Sequence, residues 1–296
     1  MRFKFLGIFE LLRPFTLLAP IIVSSSVMFA SLIYADKTEI SLFSSILIII
    51  PASICFALLN GASNALNQST DFKEDEISKP YRPLPKGNIT KKEAINISIV
   101  LYISAVLLSI LINFTFALFI ICISFFSITY SLPPRIKKFL FLNQIWVAIP
   151  RGFLGILGSW SVFGDPFQKL PLAIACIAAI FLFGGTSTKD ILDAEADKKA
   201  GTKTLVNVFG IKKTALISFI FMTVAFILII PFIILNIIEF YLFPLIFLVG
   251  FSFLIYWFMI HCRKNERGEN TSSWTLMYTT YMFYLIIFAF LTYIYA

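Results

Sequence analysis

Long apolar runs separated by short polar stretches dominate the chain. A helix needs about 20 mostly apolar residues to cross a hydrocarbon core of about 30 Å, and nine runs of this chain are long enough. The pattern therefore predicts an all-α membrane protein with nine transmembrane helices in one bundle, forming a single domain over 1–296. The predicted spans are 15–35, 41–63, 94–112, 114–132, 142–163, 170–188, 214–236, 239–260 and 274–295.

Basic residues are distributed unevenly between these spans. With a cytoplasmic N-terminus, 21 of the 24 Lys and Arg residues fall on the cytoplasmic side, which is the asymmetry that membrane insertion favours. Lys37 and Lys169 fall on the opposite side, and Arg151 falls within the fifth span. The segment before the first span is interrupted by charges and lacks a small-residue cleavage site. It predicts a retained interfacial helix and not a signal peptide.

The composition agrees with lipid as the surrounding solvent. Residues of the AVILMFWYC set make up 59% of the chain and only 14% are charged, with a mean hydropathy of +0.89. A soluble domain carries about 25% charged residues, so a soluble enzyme, a disordered protein and a nucleic-acid-binding module are excluded despite the net charge of +8. The cysteines are too dispersed to indicate a disulfide framework or a zinc site. They are Cys55, Cys122, Cys176 and Cys262.

A row of amide and carboxylate side chains follows the end of the second span, in the segment 60–87. The row has three- and four-residue spacing, so its members share one face of a helix. Such oxygens are ligands for a hard cation such as Mg²⁺. The alternative is a solvated helix end, but asparagines at the end of an apolar helix are costly without partners. The row consists of Asn60, Asn64, Asn67, Asp71 and Asp75.

A second acidic face follows the sixth span, in the segment 187–205, where Asp190, Asp193 and Asp197 have i, i+3, i+7 spacing. A helix end solvated by mixed charge is again the alternative. Both faces fall on the same predicted membrane side, which indicates an internal repeat of four helices plus an acidic motif. Two facing rows can hold a pair of divalent ions, and a basic shell can meet the charge of a bound diphosphate. The shell consists of Lys79, Arg82, Lys86 and Lys203.

Three motifs in this order carry a resemblance to a known family. They are N-x-x-x-D-x-x-x-D followed by K-P-x-R-P-L-P-x-G, Y-S-L-P-P at 130–134, and D-x-x-D-x-x-x-D followed by K-x-G-x-K-T-L. Together they resemble the UbiA family of intramembrane prenyltransferases over essentially the whole chain. The resemblance implies transfer of a polyprenyl group from a prenyl diphosphate donor to a lipophilic acceptor, with release of diphosphate. It also implies dependence on Mg²⁺, with two ions expected and Mn²⁺ as a substitute.

The resemblance assigns roles to residues at matching positions. The metal ligands it implies are Asn67, Asp71, Asp75, Asp190, Asp193 and Asp197. The catalytic residues it implies are Asp71, Asp75, Asp193, Asp197 and Tyr130. The substrate-binding residues it implies are Arg13, Asn64, Lys79, Arg82, Ser131 and Lys203. Gln68 is a departure, because many members have an aspartate directly after the motif asparagine.

Several alternatives stay open at this point. The acceptor is either a quinone-precursor aromatic such as homogentisate or a geranylgeranylglyceryl phosphate-type ether lipid. Other classes are a secondary transporter of an anionic metabolite, disfavoured because the acids lie at one membrane face, and a non-catalytic prenyl-lipid-binding protein. Arg151 is either functional or the sign of a misplaced helix boundary, and His261 is too far from both motifs in sequence to suggest a histidine base. We expect a plasma-membrane location surrounded by lipid, a cytoplasmic active site and no nucleic-acid partner.

Overall fold

The computed structural model describes residues 2–35, 41–261 and 271–295, and the regular structure of these ranges is entirely helical. Lys37 and most of the predicted loop at 261–273 lie outside the described residues. The α-helices are α1 (Arg2–Leu12), α2 (Pro14–Tyr34), α3 (Leu42–Thr70), α4 (Phe72–Ser78), α5 (Lys91–Ile112), α6 (Phe114–Ser131), α7 (Leu142–Ala148), α8 (Leu154–Trp160), α9 (Lys169–Gly185), α10 (Asp190–Lys199), α11 (Leu205–Ile227), α12 (Ile229–Ile234), α13 (Val249–Ile260) and α14 (Ser272–Tyr295).

Eight helices of the described ranges are long and apolar enough to cross a membrane. They coincide with the predicted spans other than the fifth, which confirms an all-α, multi-pass membrane protein. Three of them extend beyond one α-helix. A 3₁₀ segment at Thr186–Lys189 joins α9 to α10, α11 continues into α12, and a 3₁₀ segment at Phe240–Leu248 leads into α13. The eight helices are Pro14–Tyr34, Phe43–Thr70, Lys91–Ile112, Phe114–Ser131, Lys169–Lys199, Leu205–Ile234, Phe240–Ile260 and Ser272–Tyr295.

The predicted fifth span is divided into three short helical segments. A π-helical turn at Ile149–Phe153 separates α7 from α8. Pro150 is the second residue of this turn, and proline removes a backbone donor and clashes with the preceding turn of an α-helix. The single helix expected over 142–163 is therefore interrupted at the turn that contains Arg151. A ninth crossing stays a prediction.

A ladder of side-chain amides attaches α3 to the junction between α1 and α2. Gln68 Nε2 donates to the Leu11 carbonyl at 2.8 Å, and Asn64 Nδ2 donates to the Leu12 carbonyl at 2.9 Å. These carbonyls belong to the last turn of α1 and lack partners within that helix. Arg13 follows in a left-handed conformation with φ 54°. The ladder therefore fixes the sharp turn that brings α2 alongside α3.

The main hydrophobic core is centred on α9. Phe181 of α9 lies 5.3 Å from Phe226 of α11 between ring centroids, and Phe226 lies 5.6 Å from Tyr284 of α14. All three side chains are completely buried. Gly184 allows the backbones of α9 and α11 to approach closely, since a Cβ there would lie 2.7 Å from the Ser218 carbonyl oxygen. Because α10 follows α9 closely in the chain, this packing also positions α10 and the second acidic motif within the bundle.

Gly184→Ala should lower the thermal unfolding midpoint of the detergent-solubilised protein, because the new methyl group must displace the backbone of α11. Overpacking of this kind costs about 1–3 kcal/mol. Gly250→Ala on α13 is the matched control, because a Cβ there meets no atom within 4 Å. Its midpoint should stay level or rise, since alanine favours a helix over glycine. Equal midpoints for the two variants would contradict the close approach.

Candidate active site

A cavity of about 310 Å³ brings the two acidic motifs together. Apolar, aromatic and uncharged polar side chains of α2, α3, α6, α7, α8, α9 and α14 form much of the remainder of its walls. Six carboxylates line the cavity, namely Asp71, Glu74, Asp75, Asp190, Asp193 and Asp197. Seven basic side chains share that lining, namely Arg13, Lys79, Arg82, Arg135, Lys137, Arg151 and Lys189.

Asp71 lies where α3 ends and α4 begins, so the first acidic row bends between two helices and does not follow one. Arg135 Nη2 donates to Asp71 Oδ1 at 2.7 Å and lies 3.7 Å from the Glu74 carboxylate. Lys137 donates to Asp71 and also to Asn67 Oδ1, the latter at 2.9 Å. The segment after α6 therefore supplies the cations that compensate Asp71 in the first row.

Asp75 forms a buried pair with Arg82. Nη1 of Arg82 donates to both carboxylate oxygens of Asp75, at 2.7 and 3.0 Å. Burial raises the pKa of Asp75 above its ordinary value, and the adjacent guanidinium of Arg82 acts in the opposite direction. Removing one partner of such a pair leaves an uncompensated buried charge. The pair therefore holds the proline-rich turn after α4 in place.

Lys79 connects the two acidic motifs. Its Nζ lies 2.5 Å from Asp193 Oδ1, which joins the end of α4 to α10. The charged helix α10 follows the apolar helix α9 and forms the charged end of the long helix Lys169–Lys199.

Tyr130 lies between the charged groups of both motifs, at the end of α6. Its hydroxyl accepts a hydrogen bond from Lys189 Nζ at 2.8 Å and donates to Asn143 Oδ1 at 3.2 Å. The ammonium groups of Lys189 and Lys137 lie 5.3 and 5.9 Å from its ring centroid. These distances are within cation–π range. The ring therefore has a fixed position at the charged end of the cavity.

Three residues predicted to bind substrate contact other protein groups or lie outside the cavity. Ser131 is completely buried and donates to Asn67 Oδ1 at 3.3 Å, so it orients that amide. Asn64 lines the cavity, but its amide also donates to Thr16 Oγ1 at 2.9 Å. Lys203 is exposed outside the cavity lining, as is Lys86. The roles assigned to these residues stay predictions.

The sequence interpretation missed four polar side chains of the site. Arg135 and Lys137 are among the 21 basic residues that the topology places on the cytoplasmic side, and both lie within three residues of the end of the Y-S-L-P-P motif. Lys189 precedes the second acidic row by one residue, and Asn143 lies on the interrupted fifth segment. Proximity to a motif was therefore an available signal for three of the four. No local pattern marked Asn143.

The donor set suits a hard divalent cation that shares its ligands with a bound anion. Within the described ranges, no three Asp, Glu, His or Cys side chains are grouped closely enough to hold an ion alone. Mg²⁺ usually takes one or two carboxylates and completes its shell with water and substrate phosphates. Asp190 Oδ2 is buried and has no hydrogen-bond partner among the described residues, so a further ligand or donor would satisfy it. The residues therefore fit Mg²⁺ in company with a diphosphate.

Gln68 lies one turn from Asn64 on α3 but does not line the cavity. Its side chain is 2% exposed and contacts the α1 carbonyl of Leu11, outside the cavity lining. The Gln68 side chain therefore supports the packing of α3 on α1.

Comparison with known proteins identifies the family. Residues 23–287 match the model of the UbiA prenyltransferase family. The chain belongs to this family. It is 28% identical over 215 residues to the digeranylgeranylglyceryl phosphate synthase of Methanosphaera stadtmanae, covering 72% of this chain and 71% of that protein. It is 32% identical over 165 residues to the probable homogentisate phytyltransferase 2 of Oryza sativa, covering 53% and 43%.

The solved structures agree on the fold. A UbiA homologue from Archaeoglobus fulgidus, bound to DMAPP and Mg²⁺, matches with a TM-score of 0.71 and 20% identity over 98% of this chain and 100% of that one. Family membership confirms that the chain is a membrane prenyltransferase. The transporter and the non-catalytic binding protein are thereby set aside.

Asp71→Asn and Gln68→Met should separate a metal ligand of this UbiA-family site from a structural amide. Disturbing a metal site typically costs about 10- to 100-fold in affinity, and we expect that loss for Asp71→Asn in Mg²⁺ titrations followed by thermal shift with prenyl diphosphate present. Gln68→Met should lower the unfolding midpoint and leave the apparent Mg²⁺ affinity unchanged. Equal losses of Mg²⁺ affinity in both variants would show that position 68 belongs to the metal site.

Proposed function

We propose that this protein uses Mg²⁺ to transfer a polyprenyl group from its diphosphate to a lipophilic acceptor, releasing diphosphate. The observation that carries the proposal is the contact between Lys79 and Asp193, which joins both acidic motifs at one end of the cavity. Beyond that end the walls are largely apolar. An amphipathic prenyl diphosphate matches this polarity, with its charged head among the acids and bases and its chain against the apolar walls.

The charged end would bind the donor and stabilise the leaving group. Mg²⁺ bound there would neutralise negative charge on the departing diphosphate. We assign two ions to this end, with Mn²⁺ as a substitute. Lys79 and Lys137 are positioned among the carboxylates and would meet the diphosphate oxygens, while Arg82 keeps Asp75 oriented. The proposed ligands are Asn67, Asp71, Asp75, Asp190, Asp193 and Asp197.

The apolar walls would protect the allylic carbon as positive charge develops on it. Trp274 and Tyr278 line the cavity with their rings stacked at a centroid distance of 4.7 Å and an interplanar angle of 16°. Aromatic faces stabilise cations, and exclusion of water prevents hydrolysis of a reactive intermediate. Tyr130 lies at the boundary with the charged end, so we assign it as the aromatic group nearest the reacting carbon.

An ether lipid is the acceptor that the relatives favour. The Methanosphaera relative is named for digeranylgeranylglyceryl phosphate synthesis and matches 72% of this chain, compared with 53% for the rice protein named for homogentisate. We therefore place a geranylgeranylglyceryl phosphate-type lipid first and an aromatic quinone precursor second. The glyceryl lipid offers a hydroxyl group as nucleophile beside its phosphate. The aromatic precursor offers a ring carbon as nucleophile on a molecule that carries a carboxylate.

We also propose that the protein lies in the plasma membrane and that its active site opens on the cytoplasmic side. The support is the concentration of basic residues beside both acidic motifs, in the N-terminal segment and in the other segments on that side. This orientation requires nine crossings, with the interrupted segment 142–163 as the fifth. The internal repeat of four helices plus an acidic motif is part of the same proposal.

Asp71→Asn and Asp193→Asn should each reduce prenyl transfer by about 10²–10³, because loss of an electrostatic stabiliser costs about 3–4 kcal/mol. Asparagine keeps the size of the side chain and one carbonyl oxygen but loses the charge. The measurement is mass spectrometry of products formed from labelled geranylgeranyl diphosphate and a panel of acceptors. EDTA should abolish product formation and Mg²⁺ should restore it.

Glu239→Gln is the matched control, because Glu239 is exposed and makes no capping hydrogen bond. Exposed charges contribute at most about 1 kcal/mol, so this variant should keep nearly normal activity. Normal turnover by both motif variants at saturating Mg²⁺, or full turnover in EDTA, would overturn the proposed function.

A further inference from the structure

Arg151 places a positive charge in the same cavity but outside both acidic motifs. It lies within the π-turn at Ile149–Phe153, and its side chain is exposed at the cavity while Pro150 and Gly152 beside it are buried. A charged side chain among apolar spans is costly unless it faces a cavity or a partner. π-turns inside helices also occur frequently at functional sites. The position of Arg151 therefore requires an explanation that the donor site does not provide.

The guanidinium of Arg151 has few partners within the protein. Nη2 donates to Asn60 Oδ1 at 3.2 Å. Among the described residues, no Asp or Glu oxygen lies within 4.0 Å of it. A guanidinium carries five N–H donors in a planar fork that matches carboxylate and phosphate groups. Most of these donors are therefore available to a bound anion.

The surroundings hold Arg151 in a fixed arrangement. Asn60 Nδ2 donates to the Thr16 carbonyl at 2.9 Å, which turns the Asn60 carbonyl oxygen towards the guanidinium. The Tyr278 hydroxyl donates to the same Thr16 carbonyl at 2.7 Å. The Tyr281 hydroxyl donates to the Arg151 carbonyl at 2.9 Å. Elements α2, α3, α14 and the π-turn thus position a donor group before any ligand arrives, which favours binding.

This basic group is well separated from the first acidic motif. Asn60 precedes Asp71 by 11 residues on α3, which corresponds to about 16 Å along the helix axis at about 1.5 Å per residue. Asn67, the proposed metal ligand nearest to Asn60 on α3, is seven residues away, or about 10 Å, so Arg151 and the metal ligands lie at different depths of the cavity. The cavity therefore offers a second place for an oxyanion, and the reaction has a second reactant.

We propose that Arg151, supported by Asn60, binds the anionic head group of the acceptor, which is a phosphate monoester or a carboxylate. This inference rests on the proposed function. A phosphorylated glyceryl lipid and an aromatic acid such as homogentisate both carry the required oxyanion. Binding of that anion also neutralises a positive charge that would otherwise oppose cation formation on the prenyl donor. The acceptor therefore prepares the cavity for the reaction as well as supplying the nucleophile.

Arg151→Gln tests the proposal through the difference between the two substrates. The KM for an anionic acceptor should rise about 10- to 100-fold, as expected for loss of a charge-assisted hydrogen bond. The KM for geranylgeranyl diphosphate should not change. With geranylgeranylglycerol, the dephosphorylated acceptor, the variant and the wild-type protein should have equal KM values. Arg151→Lys should recover part of the loss, and Lys212→Gln, at an exposed position on α11, should match the wild-type protein.

A binding measurement on the wild-type protein decides the same question if Arg151→Gln does not fold. In EDTA, geranylgeranylglyceryl phosphate or homogentisate should still bind, whereas prenyl diphosphate should bind weakly. The acceptor with the lower dissociation constant shows whether Arg151 recognises a phosphate monoester or a carboxylate. Failure of both acceptors to bind without Mg²⁺, or an equal rise in KM for charged and uncharged acceptors, would overturn the role of Arg151. Transfer that proceeds normally in Arg151→Gln would refute this inference alone, whereas absence of transfer in the wild-type protein would refute the proposed function.

Discussion

Compensation of buried and partly buried carboxylates by cations from other segments is the interaction on which the site depends. Carboxylates brought close together in a medium of low dielectric repel each other and lose hydration. In this protein, basic residues of a separate turn or loop lie against each acid of the first motif and against the centre of the second. The pairs are Arg82 with Asp75, Lys137 with Asp71, and Lys79 with Asp193. These contacts fix the relative positions of α4, the segment after α6, and α10.

The helical scaffold makes this concentration of charge possible. Close packing of α9 on α11 carries the second motif, and the amides of Asn64 and Gln68 attach α3 to the turn between α1 and α2. The π-turn interrupts the fifth segment where Arg151 faces the cavity. As a result, one cavity combines a charged end, apolar walls and a separate basic group. A cavity that transfers a prenyl chain between two amphipathic substrates needs polar regions for their head groups and apolar walls for their chains.

Local periodicity predicted the eight long helices and the grouping of acids in each motif. The spacing of Asn67, Asp71 and Asp75 predicted a common face, and all three line the cavity even though the helix bends at Asp71. The interruption at Pro150 was not predicted, because the apolar run continues through it and hydropathy does not register a missing backbone donor. The partners of the acids were harder to predict. Lys137 contacts Asp71 from 66 positions away in the chain, and hydrophobic and polar patterns carry no information on such long-range pairs.

Anomalous diffraction from crystals grown with Mn²⁺ and an unreactive prenyl diphosphate analogue would test the central claim most directly. The claim is that both acidic motifs hold one metal–diphosphate site. The anomalous signal should lie between the side chains of Asp71 and Asp193, in contact with the diphosphate, and the prenyl chain should extend along the apolar walls. A signal confined to one motif with the other still paired to its lysine, or a diphosphate bound at Arg151, would contradict a shared site.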